Sequence, residues 1–330
     1  MHSESKVLVA GGGGFIGGWI VNSLLKKGYK DIRVVDIKPS SNWYQRFEEV
    51  ENISMDLRTE NSAKIATKGI DIVYNLAADM GGMGFIEQNK ALCMLSVLIN
   101  TNLLNASKIN GVKKYFYASS ACVYNQSLQM ESSNPGLKES DAYPANPEDG
   151  YGWEKLFSER MCKHFYEDFG LDIRVARFHN VYGPNGTFVG GREKAPAAIC
   201  RKIAESVISG NHEIEIWGDG DQTRSFTYID DTITGIDKIM ESSFTEPLNL
   251  GSSEMVSINE LVSIVEKIAG IKVFKKYKLD APKGVRGRNS DNTLIKSLLN
   301  WEPNTSLETG LEFTYKWVLK EMEKGTKNWS

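Results

Sequence analysis

Tyr151-Gly152-Trp153-Glu154-Lys155 sets a tyrosine and a lysine four residues apart. On a helix that spacing puts both on one face, so an ammonium can lie beneath a phenol and favour its ionised form. The result is a proton acceptor suited to a sugar hydroxyl. Upstream, an apolar run ends in Ser119-Ser120-Ala121-Cys122, where Ser120 can donate to the substrate oxygen while Tyr151 takes its proton. Lys155, beneath a positively charged nicotinamide ring, lowers the phenol from its ordinary value of about 10. A thiol at Cys122 and an amine at Lys194 offer a second acid and base pair, which simple dehydrogenases lack and an isomerase needs. Side chains two apart on an extended backbone share a face, so Ser120 and Cys122 are expected side by side. Plainer readings exist: Tyr151 as a partly buried aromatic, Cys122 as a small inert side chain, Lys194 as a solvated residue at a helix start. Lys155, Ser120 and the glycine turn from Gly11 to Gly17 argue against the first; on the residues alone the other two stay open.

These groups need a frame. Lys6 to Ala10 reads as a short apolar strand, Gly11 to Gly17 as a glycine turn, Phe15 to Lys27 as an amphipathic helix and Ile32 to Asp36 as a second strand, a βαβ opening. Further strands are expected at Ile53 to Asp56, Asp71 to Leu76, Lys114 to Ser119 and Ile173 to Arg177, with helices near Ala91 to Ile109 and Gly152 to Phe169. This alternation predicts an α/β fold, a Rossmann-type doubly wound parallel sheet, over residues 1–178. Past Asn180 the texture changes, with Gly183-Pro184, Gly190-Gly191 and a Gly218 to Gly220 turn breaking up short elements. A helix near Ala195, a strand at Glu213 to Trp217 and helices at Ile258 to Ala269 and Leu307 to Glu321 predict a smaller substrate lobe over 179–224 and 251–330. Ser225 to Met240 and Leu248 to Leu250 read as a return to the sheet.

Gly11, Gly14 and Gly17 form a G-x-x-G-x-x-G turn between strand and helix, where backbone amides and a helix N-terminus can approach a pyrophosphate. With Asp36 ending the second strand, the pattern is that of a dinucleotide site. Asp36 would accept from both adenosine ribose hydroxyls and repel a 2'-phosphate, which favours NAD over NADP; nearby Lys38 softens that preference. Asp56 stands where an adenine contact is expected, with a turn aspartate as the equal alternative.

Composition sets bounds on function. At 330 residues, 41% hydrophobic, 25% charged and with net charge −3, the chain resembles ordinary globular proteins and has no broad cationic field. Nucleic acid and anionic membrane are therefore not expected as partners. Met1 to Lys6 lacks a signal-peptide pattern and no stretch is expected to reach membrane-spanning length, so the cytoplasm is the expected location. Cys93, Cys122, Cys162 and Cys200 lack metal-type spacing and are expected unpaired, three of them as small core residues.

Together these residues resemble the extended short-chain dehydrogenases acting on nucleotide sugars and, within them, the GDP-mannose 3,5-epimerase family. The narrower resemblance rests on Asn75 to Gly84, "YASSACVY" from Tyr117, "RFHNVYGP" from Arg177, "GGREKAPAA" from Gly190, "WGDGDQTRSF" from Trp217 and "GVRGRNSDN" from Gly284. It runs from Lys6 nearly to Trp317, and the Gly81 and Gly190 segments are its most specific parts. The resemblance implies that Cys122 and Lys194 are base and acid, that Tyr151 and Lys155 also touch NAD, and that Gly81, Asn180, Glu193, Lys202, Gln222, Arg224 and Arg288 join Ser120, Cys122 and Lys194 in contacting a GDP-sugar. Arg286 is an alternative to Arg288. Three departures stand out: Asn125-Gln126 in place of Pro-Glu, Trp153 in place of Leu, and a longer segment from Val207 to His212.

The implied chemistry is oxidation of GDP-mannose at C4 by a tightly bound NAD, enolisation towards C5 and C3, and re-reduction, giving GDP-L-galactose and some GDP-L-gulose. A GDP-sugar C4 dehydrogenase or ketoreductase, with a GDP-heptose as an example of its substrate, would use Tyr151 and Lys155 without epimerising. A nucleotide sensor on the same fold would use none of this chemistry. The resemblance also implies a homodimer through the helices Ala91 to Ile109 and Gly152 to Phe169, where Leu95, Leu98, Leu156, Phe157 and Phe165 serve either a partner subunit or the core of one chain.

Overall fold

Val7-Leu8-Val9-Ala10 is buried on both faces, the pattern of a parallel strand covered by helices on each side. A computed structural model describes residues 4–282 and 284–325. Residues 1–3, part of the stretch read for a leader, and 326–330, the end of the expected lobe, lie outside the described residues.

The strands β1 (Val7–Ala10), β2 (Ile32–Asp36), β3 (Glu51–Ser54), β4 (Ile72–Asn75), β5 (Lys114–Ser120) and β6 (Asp172–Phe178) join Leu248–Leu250 in a seven-stranded sheet. Its order is Leu248–Leu250, β6, β5, β4, β1, β2, β3, and every pairing is parallel. The winding reverses between β1 and β4, and ligands of such sheets bind beyond the strand ends at that point. Val7 and Val9 face a core shared with Ile203, Leu261 and Leu311 of the later helices, whereas Leu8 and Ala10 face Leu103, Leu104 and Ile173.

The helices that matter here are α1 (Phe15–Lys26), α2 (Glu60–Thr67), α3 (Met83–Gln88), α4 (Lys90–Met94), α5 (Val97–Asn110), α6 (Asp149–Phe169) and α7 (Ala195–Ser209). Proline in its first turn and left-handed Gly210 after its end bound α7. A capping box between Ser257 and Glu260 starts the later helix Ile258–Ala269, which ends at left-handed Gly270.

Several expectations shift. β3 ends at Ser54, short of the expected Asp56, because the Asp56 carboxylate accepts the Arg58 N–H at 2.9 Å and folds the chain into a turn. The single helix expected from Ala91 to Ile109 is two, broken at Leu95-Ser96, where Ser96 Oγ accepts the Asp79 N–H at 2.9 Å. The expectation that no stretch reaches membrane-spanning length is also corrected: Lys90–Asn110, 21 residues, is long and apolar enough by length and composition. Its Ile99, Leu103 and Leu104 are buried in the core between α2 and α6. Of the residues read for a subunit contact, Leu156 and Phe165 belong to intrachain packing, while Leu95, Leu98 and Phe157 are exposed.

The return segment joins the main sheet only through its last strand, because its first strand forms a separate pair. Thr227–Tyr228 pairs with Val181–Tyr182, the helix Ile229–Glu241 follows, and Leu248–Leu250 closes the sheet against β6. A small sheet places Thr223–Ser225 between Met255–Ser257 and Gly287–Arg288, with Arg224 and Arg288 directly opposed in register.

Candidate active site

The site is built from the end of β5 outward. Ser119 points into the core, donating to Glu159 at 2.5 Å, so the pleat sends Ser120 to the other side. The chain does not stay extended. Ala121–Val123 is a turn of 3-10 helix capped by Ser120, whose hydroxyl accepts the Cys122 N–H at 3.2 Å. Ser120 and Cys122 are thus brought together by a cap and not by the shared strand face that was expected. Ser120 lies close enough to the Tyr151 phenol to pull its pKa down, and Tyr151, Cys122, Cys93 and Ile86 form one buried cluster.

Lys155 lies on the same α6 face as Tyr151, its Nζ 5.6 Å from the phenol ring centroid. Its hydrogen bonds go elsewhere, to Tyr117 Oη at 3.2 Å and Ala118 O at 3.1 Å, with Glu154 Oε2 at 3.7 Å. Burial is the largest influence on Tyr151 and pushes its phenol well above the ordinary value; Cys122 and Glu154 add to this and Ser120 opposes it. The expected lowering is therefore not a property of the protein alone. A further positive charge beside the ring must supply it.

Cys122 is shifted in the same direction. Burial, then the Glu148 carboxylate, push its thiol up, and the Arg288 guanidinium pulls the other way without prevailing. Lys194, at the N-cap of α7, is pulled below its ordinary value by burial, against the attraction of Cys122. Thiol and amine thus share one electrostatic neighbourhood, with proton affinities drawn towards each other.

The remaining candidates divide by what they already hold. The Gly81 segment packs on the loop before α7: Gly82 N–H donates to Arg192 O at 3.0 Å, and a Cβ on Gly81 would touch Phe85 and Arg192. Glu193 accepts from Arg201 at 3.4 Å through one oxygen and keeps the other buried without a partner. Gln222 donates to Trp217 O at 2.9 Å and likewise keeps a buried, unpartnered Oε1. Asn180, with φ +44°, donates to Ser225 O at 3.0 Å, and Lys202 donates to Glu215 O at 2.5 Å. Arg224 donates to the carbonyls of Thr223 and Val285, and burial followed by the opposed Arg288 brings it down to about 10.

Between the two arginine alternatives, Arg286 is a two-pronged partner of Asp219 at 2.8 and 2.9 Å, whereas Arg288 reaches the thiol. Arg288 is fully engaged: Nε on Gln129 at 2.6 Å, Nη1 on Cys122 Sγ at 3.5 Å and Nη2 on Glu148 at 2.7 Å. Glu148 and Gln129 were missed in the sequence. An acid three residues before Tyr151, after Pro147, looks like any acidic residue at a helix start. The departures now have places: Asn125 and Gln126 bond the Pro144 and Pro147 carbonyls leading into Glu148, Trp153 is exposed on the outer face of α6, and Val207 to His212 spans the end of α7.

The dinucleotide reading can be tested on the glycine turn. Gly11 has φ +79°, and a Cβ on Gly17 would sit 2.3 Å from Gly11 O, so turn and helix start meet backbone to backbone. A Cβ on Gly14 would meet only Gly11 O, at 3.1 Å, and would protrude instead into the cradle before α1. Asp36 is buried at the end of β2 and accepts the Lys38 N–H at 3.0 Å. Lys38 Nζ is tied to Gly13 O at 3.1 Å. Both oxygens of Asp56 are taken by Arg58, the geometry of its turn reading. The residues present fit NAD.

Comparison with known proteins agrees. Residues 7–251 match the model of the NAD dependent epimerase/dehydratase family. The chain is 47% identical over 326 residues to GDP-mannose 3,5-epimerase 1 of Oryza sativa subsp. japonica, covering 97% of this chain and 83% of the relative. Identity to the GDP-mannose 3,5-epimerase of Arabidopsis thaliana is 46% with the same coverage. Among solved structures, the UDP-glucose 4-epimerase of Thermotoga maritima with UDP-glucose superposes with a TM-score of 0.85 at 26% identity, covering 96% of this chain and 99% of that one. MoeE5 in complex with UDP-glucose and NAD gives 0.80 at 27%, with 96% and 99% covered. The chain belongs to the NAD dependent epimerase/dehydratase family.

Proposed function

We infer that this chain is an isomerase that epimerises GDP-mannose at C3 and C5, through transient oxidation at C4, to GDP-L-galactose with GDP-L-gulose as a side product. The observation that carries this is the clustering, at the end of β5, of Ser120, Tyr151 and Cys122, with the Lys194 amine in the electrostatic field of that thiol. A plain C4 oxidoreductase needs only Ser120 and Tyr151. NAD, held by Gly11, Gly14, Gly17, Asp36, Tyr151 and Lys155, supplies a reversible hydride acceptor for C4.

The side chains divide the rest of the work. Tyr151 takes the proton of the C4 hydroxyl while Ser120 hydrogen-bonds its oxygen. Once C4 is a carbonyl, a carbanion at C5 or C3 is delocalised as an enolate, so protons there become removable. Cys122 and Lys194 remove and return them from opposite faces. Arg224 suits the diphosphate because its field is already crowded by the like charge of Arg288 and gains from an anion. The buried free oxygens of Glu193 and Gln222 suit donors such as sugar or base groups.

Exposed Met94, Leu95, Leu98, Trp153 and Phe157, on the neighbouring α4, α5 and α6, favour a homodimer through this face. The free cysteines fit a reducing compartment such as the cytoplasm. Product NMR after incubating GDP-mannose in deuterated buffer tests the reaction. Solvent deuterium at C5 and C3 is the expected result, and turnover of C4 without label there would favour the dehydrogenase reading.

A further inference from the structure

Between Val181–Tyr182 and α7 the chain crosses the crevice at the point where the winding reverses. Its first half is rooted. Phe188 is buried, its ring edge-on to Trp317 of the lobe, and Arg201 Nε donates to its carbonyl at 2.8 Å. Beside it, Thr187 Oγ1 accepts the hydroxyl of Tyr44, from the loop after β2, at 2.7 Å. A Cβ on Gly186 would lie 3.2 Å from the ring of Phe15, which follows Gly14 of the glycine turn. The second half is held on the other side, by the loop after β4. Arg192 O accepts the Gly82 N–H at 3.0 Å, and Arg192 Nη1 donates to Asp79 Oδ1 at 3.4 Å and Met80 O at 3.3 Å. The guanidinium lies 3.7 Å from the Phe85 ring centroid.

β2 and β4 flank β1, so two strand spacings, about 10 Å, separate them. The five residues from Thr187 to Arg192 reach at most about 18 Å. A span that short passes close over the glycine turn at the end of β1. Within it, Gly190 and Gly191 stand exposed with φ +88° and +82°, and a Cβ on Gly191 would meet nothing. Adjacent glycines in that conformation turn the chain without packing, as a hinge does. Lys194 follows three residues later as the N-cap of α7.

We propose that residues 189–194 are a hinged strap over the dinucleotide crevice, rooted at Phe188 and latched by Arg192 to the loop after β4, which retains NAD between turnovers and carries Lys194 at its end. The cofactor site runs from Asp36 at the end of β2, past the glycine turn, to Tyr151 beside β5, so the strap lies across its path. Root and latch differ in kind. The root is a buried aromatic, whereas the latch is an exposed ion pair and a stacked ring, weak contacts suited to opening. The proposal rests on the NAD site, and on the epimerase reading only for what Lys194 does.

Dilution of the NAD holoenzyme without sugar, with released NAD collected by ultrafiltration over time, reads the strap directly. Arg192→Met should release NAD about tenfold faster than wild type. Hydrogen exchange at the Gly82 amide, read on its peptide by mass spectrometry, should quicken by a similar factor, because Arg192 O covers that N–H. Asp79→Asn, which removes the charge the latch pairs with, should move both readouts the same way by about threefold. Tyr44→Phe, at the root, should change release by less than about threefold, since Phe188 stays buried. Unchanged release in folded R192M overturns the proposal. So does faster release with Gly82 as protected as in wild type, which would make Arg192 a cofactor contact and not a latch. Equal rises in R192M and Y44F would overturn it too, as a general loosening of the lobe. Where R192M does not fold, D79N decides by the same two readouts. No sugar is present, so failure here is separate from failure of the epimerase reading.

Discussion

On the sheet side of the pocket, Ser120, Tyr151 and Lys155 come from β5 and α6, two regular elements packed on each other. On the lobe side, Lys194, Arg224 and Arg288 come from a helix start and two short strands. The first group has its geometry fixed by helix spacing and a cap. The second is fixed by charge: Arg288 by Glu148, Arg224 by surrounding carbonyls, Lys194 by burial near a thiol. Cys122 stands at the seam, its backbone capped by Ser120 and its sulfur facing Arg288. One half is the part needed for oxidation, and the other adds proton traffic at carbon.

The comparison breaks first at Tyr151. Tyr151→Phe should lower both C4 oxidation and epimerisation by about 10²- to 10⁴-fold, because no proton acceptor remains for the first step. Nicotinamide absorbance and product NMR read the two steps together. Cys122→Ala should separate them, with hydride transfer within about tenfold of wild type and deuterium entry at C5 and C3 reduced by about 10²-fold or more. Equal loss of both steps in folded C122A would erase the division between the halves.

What could be read in the sequence follows the same division. Tyr151, Lys155 and the glycine turn are legible because helix periodicity and a strand-to-helix turn translate spacing into space. The small-sheet register that opposes Arg224 to Arg288 joins segments far apart in the chain, and no local pattern announces it. Glu148 was hidden for a related reason: its partners are Cys122, in the turn after β5, and Arg288 from the lobe. The family resemblance pointed to Cys122 and Lys194, yet it carried no information on burial. In the chain alone the phenol and the thiol both stand above their ordinary values, since desolvation opposes charge at both.

Arg224 sharpens the comparison on the binding side. A charge-assisted bond to an anion contributes about 1.5 to 3 kcal/mol, so Arg224→Gln should raise KM for the sugar nucleotide by about 10- to 100-fold. Turnover at saturation should change by only about two- to threefold if the residue binds ground and transition states alike. Steady-state kinetics decide, and a fall in kcat with KM unchanged would move Arg224 from the binding half to the proton-transfer half.

The smallest expected effect concerns Glu154, on the sheet side. Its Oε1 accepts from Tyr117 at 3.2 Å and Ser158 at 2.9 Å, while its Oε2 is buried without a hydrogen-bond partner, 3.7 Å from Lys155 Nζ. This carboxylate is among the groups that raise the Tyr151 phenol, after burial and Cys122. Glu154→Gln removes the negative charge and keeps the shape, so the phenol should ionise more readily. Oxidation needs the phenolate, so the limb of kcat/KM that rises with pH should move to lower pH. Because burial outweighs Glu154, the limb should stay well above the position of a free tyrosine that had gained an unopposed ammonium. A limb that stays put in folded E154Q would mean that Lys155 already screens Glu154 from the phenol, and the sheet side would then owe its acidity to Lys155 and the cofactor alone.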